Sequence, residues 1–159
     1  MTGRDRMIDV SHTVEHGMVT YKGLPAPVIC DFLTREASRA SYAPGTEFYI
    51  GKIEMVANTG TYVHWGTERY FDGHPYLTGE LAQWLVSAGA VLVGIDSLNI
   101  DGITTRERPA HSTLLGHDVP VVEHLRGLEA LPDRGSRFFA VPVKVKGFGT
   151  FPVRAFALV

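Results

Sequence analysis

Thr78-Gly79-Glu80-Leu81-Ala82-Gln83-Trp84-Leu85-Val86-Ser87-Ala88-Gly89, followed at once by Ala90-Val91-Leu92-Val93-Gly94-Ile95-Asp96, is the stretch that decides the fold class. Thr78 can cap a helix, Glu80 suits its positive first turn, and Leu81, Ala82, Trp84 and Leu85 fall on one face at helical spacing. Gly89 stands where such a helix would stop. The apolar run after it is short and nearly continuous, which reads as a strand buried on both faces with Asp96 at its C-terminal end. An amphipathic helix that must cover a sheet, next to a buried strand, predicts an α/β or α+β architecture.

Working outward, residues 7–12 alternate apolar and polar as a half-buried strand does, and Gly17, Gly23, Pro25 and Pro27 then punctuate a loop. Residues 28–33 and 47–57 return to strand-like patterns rich in Phe, Tyr, Ile and Val, whereas 58–76 hold no sustained period and read as loop. Downstream, Pro109 opens one or two helical turns closed by Gly116, and residues 119–123 form another short strand. Residues 137–145 and 151–159 read as strands joined by a hairpin connection at 146–150. With no internal repeat or linker, the 159 residues are expected to form one domain, 1–159, large enough to bury a core without staples.

Hydrophobic residues make up 45% and charged residues 20%, which excludes a disordered class. The formal charge of −2 and the absence of a Lys/Arg cluster among aromatics argue against nucleic acid as a partner. No apolar run approaches the ~20 residues needed to span a bilayer, so no membrane partner is expected and a cytoplasmic protein is the simplest account. The lone Cys30 has no second thiol for a disulfide or a thiolate metal site and reads as a small buried residue.

Seven histidines are the main polar resource: His12, His16, His64, His74, His111, His117 and His124. None forms an HExxH pair, and no GxSxG elbow or phosphate-binding loop is present. Two local features stand out: Asn58-Thr59-Gly60-Thr61-Tyr62 at a strand end, and His111 followed twelve positions later by Glu123. Imidazole nitrogen and carboxylate oxygen together suit zinc or manganese, although two ligands alone hold an ion weakly. A buried hydrogen-bonded pair is the other reading of the same two residues.

Taken in order, several runs together resemble the bacterial cyclase and kynurenine-formamidase-like family: residues 8–12 (Ile-Asp-Val-Ser-His), 17–23, 58–62, 94–97 (Gly-Ile-Asp-Ser), 108–111 (Arg-Pro-Ala-His), 119–123 (Val-Pro-Val-Val-Glu), 139–142 and 151–155. The resemblance runs from end to end, and the combination is more specific than any one motif. It implies a swivelling β/β/α-type mixed α/β sheet with few helices, a divalent metal (zinc or manganese), a small-molecule substrate and a homodimer. It further implies metal-assisted hydrolysis of a C–N amide bond, as in N-formylkynurenine or a related cyclic amide or lactone. His111 matches the family's later metal-binding His and Glu123 its metal-bridging Glu, so these two are the implied catalytic residues. Tyr21 falls where an aromatic residue meets substrate, with Tyr62 as a second substrate-binding position.

The family's first motif reads His-x-Gly-Thr-His-x-Asp-x-Pro-x-His, and here the chain departs from it, with Asn58 and Tyr62 at the two histidine positions. Read without a gap, His64 replaces the Asp and Glu68 the acid-base His, giving a ligand set of His111, Glu123, Asn58 and His64. The better reading places a gap at Val63/His64, where residues 64–77 resemble a stretch that relatives carry well downstream. Several dozen residues are then missing, including the Asp, the acid-base His and some sheet and helix elements. The competing readings are a small-molecule-binding or self-associating remnant, and a metal-free cyclase or lyase working through Tyr62 and His111.

Overall fold

The computed structural model describes residues 5–19, 21, 23–57 and 73–159. The chain divides into two compact units, Val14–Thr59 and the remainder, Met1–Thr13 with Gly60–Val159. The architecture is mixed α/β with few helices and small sheets, as the sequence predicted.

The larger unit contains strands β1 (Met7–Asp9), β4 (Val93–Gly94), β5 (Val121–Val122), β6 (Arg137–Ala140) and β7 (Ala155–Leu158), with helices α2 (Gly79–Ser87) and α3 (Pro109–Gly116). β7 runs antiparallel between β1 and β6, with Ile8 opposite Ala157 and Phe139 opposite Phe156. On this sheet Val10, Leu125 and Ala155 form one small core, packed by Ile8, Val122, Leu128 and Phe138. A second core joins the helices to the parallel β4–β5 pair: Ala82 of α2, Val93, Ile100, Ala110 and Leu114 of α3, and Val119.

Helix α2 begins as the sequence indicates, with Thr78 Oγ1 accepting from the Leu81 N–H, and it ends before Gly89, whose φ of 83° few other residues adopt. Its buried face differs in detail. Ala82, Leu85 and Val86 turn inward, whereas Leu81 and Trp84 are exposed. The following strand is also shorter than expected. Only Val93 and Gly94 form ladder positions, Val93 is buried and Val91 is exposed, so the run is not covered on both faces. Its partner stops at Val122 because His124 takes a left-handed φ of 62° and turns the chain.

The smaller unit is built on an antiparallel ribbon of β2 (Val28–Leu33) and β3 (Ile50–Glu54), with a register irregularity between Asp31 and Leu33. Between them lies α1 (Arg35–Arg39), a single turn that the sequence reading assigned to no element. Thr34 Oγ1 caps it by accepting from the Ala37 N–H at 3.1 Å. Cys30, expected to be buried, is exposed, since β2 pairs with β3 alone. Among the described residues, no helix is long and apolar enough to cross a membrane.

Candidate active site

The β4–β5 pair and α3 bring three acidic or imidazole side chains to one place. After β4 the chain runs through residues 96–102, a loop held by its own polar atoms. Ser97 Oγ donates to the Pro75 carbonyl at 2.6 Å, and the Asp101 N–H donates to Asn99 Oδ1 at 2.9 Å. His74 Nε2 lies 3.0 Å from the Asp101 carbonyl oxygen, to which it donates. The loop thereby sets Asp101, wholly buried, under the first turn of α3.

Asp101 Oδ1 accepts from the Ala110 N–H at 2.6 Å and Oδ2 from the His111 N–H at 3.1 Å. The same Oδ2 lies 2.7 Å from His111 Nδ1. The other ring nitrogen, Nε2, is 3.5 Å from Glu123 Oε1, which accepts from the Ile100 N–H at 2.7 Å. The result is a line from Asp101 through the His111 ring to Glu123, anchored at both ends by backbone donors. Burial raises the Glu123 pKa, with the Asp101 charge adding to it, while the Ile100 N–H, His111 and Arg108 oppose the shift.

Beside Glu123, burial pulls the His124 pKa down to about 3, helped by the nearby His12. His12 is itself lowered, first by burial and then by Arg126, and its Nε2 is buried without a hydrogen-bond partner. Asp96 is raised by burial and by Glu129, against Arg126.

Of the residues picked out from the sequence, the structure brings His111 and Glu123 together. Tyr21 belongs to the smaller unit, and Asn58, Tyr62, His64 and the Val63/His64 junction lie outside the described residues. Asp101 was not anticipated. A capping side chain ordinarily sits two or three positions before the N–H it accepts, whereas Asp101 is nine positions before Ala110, a spacing that no local rule detects. Among the described residues, no cluster of three or more His, Cys, Asp or Glu is arranged to hold a metal ion.

Residues 45–102 match the family model described as "Putative cyclase". The chain is 31% identical over 93 residues to a kynurenine formamidase of Bordetella avium (strain 197N), a match covering 58% of this chain and 42% of that protein. The chain thus spans about half the length, or less, of the curated relatives it matches. Its fold resembles that of a potential metal-dependent hydrolase with cyclase activity at a TM-score of 0.72, with 18% identity and 98% and 100% of the two chains covered. It also resembles isatin hydrolase A from Ralstonia solanacearum, at a TM-score of 0.72 and 16% identity over 98% and 92% of the chains.

Proposed function

We propose, from the premise that this chain belongs to the cyclase and kynurenine-formamidase-like family, that it hydrolyses a carbon–nitrogen amide bond in a small molecule. The substrate class is an N-formylkynurenine-like amide or a cyclic amide or lactone, in keeping with the names of the formamidase and isatin hydrolase relatives. The observation that carries this reading is the 3.5 Å approach of His111 Nε2 to Glu123 Oε1, two atoms twelve positions apart in sequence. Two ligands about 2.1 Å from a shared ion in a tetrahedral array lie about 3.4 Å apart, so the spacing of these two atoms is compatible with two corners of a zinc site. The remaining donors would come from Asn58, His64 or a second chain.

A divalent ion held there would supply a water acidified toward hydroxide near neutral pH and would polarise the amide carbonyl. The protein's own part is positional. The Ile100 N–H fixes one Glu123 oxygen, and α3 fixes the height of the His111 ring over it. Tyr21 and Tyr62 are the proposed contacts to substrate. We take residues 1–159 as one working domain, cytoplasmic and homodimeric, with exposed apolar side chains such as Phe32 and Ile53 as support for the dimer.

The test is metal stoichiometry after exposure to zinc and manganese and removal of loosely bound ions, followed by assay on formamide and lactone substrates. About one retained ion per chain, with turnover, is the expected result. No retained ion and no turnover would leave the small-molecule-binding or self-associating reading in its place. Turnover that persists without any ion and disappears in Tyr62→Phe would favour the metal-free one.

A further inference from the structure

We propose that Asp101 is the positioning residue of this site: its buried carboxylate holds His111 as the Nδ1–H tautomer and so presents the Nε2 lone pair toward Glu123. The catalytic consequence rests on the hydrolase reading above, but the tautomer itself does not. A neutral imidazole carries its proton on one nitrogen, and which one is set by the partner of the other. A carboxylate only accepts, so the proton in the 2.7 Å contact between His111 Nδ1 and Asp101 Oδ2 sits on the ring. In the neutral ring Nε2 is then the nitrogen without a proton, facing Glu123 Oε1 at 3.5 Å. Two acceptors meet there, an arrangement that calls for a cation or a shared proton between them.

Asp101 is placed by construction rather than by chance of rotamer. It is wholly buried, and its two oxygens take the Ala110 and His111 N–H groups, among the orphan donors of the first turn of α3. The local N-cap position, Arg108, makes no side-chain capping bond, so Asp101 serves from nine residues upstream. The two backbone bonds of the helix start hold the carboxylate in place, and its Oδ2 is thereby kept within reach of the ring. Carboxylate partners of this kind are worth about 10–100-fold in metal affinity where an imidazole is a ligand.

The experiment is a long-range ¹H–¹⁵N correlation spectrum of the histidine rings of the full chain without added metal, on wild type and Asp101→Asn, with His111→Gln giving the assignment. Wild type should show the His111 proton on Nδ1. In Asp101→Asn the amide nitrogen is expected to take the longer, 3.1 Å side of the fork and donate to Nδ1, moving the proton to Nε2. Zinc affinity measured by competition with a chromophoric chelator should fall about 10–100-fold. A wild-type spectrum with the proton on Nε2 overturns the proposal. So does an Asp101→Asn protein that melts earlier yet keeps the Nδ1 tautomer and wild-type zinc affinity, since that is the behaviour of a helix cap alone. If wild type binds no zinc but shows the Nδ1 tautomer that Asp101→Asn loses, the positioning role stands and the hydrolase reading is what fails.

Discussion

At the residue scale, His124 makes the plainest prediction. Its pKa in the folded chain is about 3, below the ordinary 6.5, so under acidic conditions the unfolded chain binds a proton that the native one refuses. The stability this represents is fully present above pH 6.5 and is lost as pH falls from there toward 3; His12, lowered in the same direction, adds to the loss. Between pH 7.5 and 5.5 the His124 part should amount to about 1.4 kcal/mol, read from urea unfolding at the two pH values. In His124→Asn, which tolerates the left-handed φ of 62°, the drop should shrink. An unchanged pH dependence in that variant would locate the effect elsewhere. Glu123→Gln makes a second prediction. The amide oxygen can still accept from the Ile100 N–H, so the fold should hold, while zinc affinity should fall by more than the 10–100-fold lost with an outer partner such as Asp101. Two residues of the candidate site, His111 and Glu123, were legible in the sequence because the family resemblance marked them. Asp101 was not, because its role is created by a loop folding back under a helix that starts eight residues later.

At the scale of elements, α1 was missed and the strands were found, yet the ends of α2 were easier to read than the ends of most strands, and for a physical reason. A helix satisfies its backbone internally, so the cap at Thr78 and the stop at Gly89 were sufficient to bound α2. A strand exists only where a partner ladders it. Residues 137–145 form an apolar strand pattern, yet β6 ends at Ala140: Pro142 has no N–H to give, and Val141 and Val143 stand 76% and 65% exposed. The site depends on helix packing more than on these strands, since α3 carries His111 and rests on α2 through Leu114 and Ala82. Leu114→Ala, at a wholly buried position, should cost about 2–5 kcal/mol in chemical denaturation. Thr78→Ala, which removes one capping acceptor, should cost about 1 kcal/mol. A Leu114→Ala cost no larger than that of Thr78→Ala would mean that the α2–α3 seam is not the core of this unit.

At the scale of the whole molecule, the described sheets have three, two and two strands, against a usual five or six. The parallel pair β4–β5 is two residues long, although parallel ladders are ordinarily buried within larger sheets. A two-stranded ribbon such as β2–β3 is marginal by itself in water, and it leaves Val28, Phe32, Ile50 and Ile53 exposed. Apolar surface of that kind is either covered or a liability to association. If a second copy covers the ribbon, folding and association are linked, and the midpoint of thermal unfolding must rise with protein concentration. We therefore expect a dimer by light scattering after size exclusion, with a melting temperature that climbs over a hundredfold range of concentration. Phe32→Asp combined with Ile53→Asp should shift the protein toward monomer and remove the concentration dependence. A wild-type monomer with the same melting temperature at every concentration would show that the ribbon is stable uncovered. The homodimer would then have no support in the exposed surface of this chain.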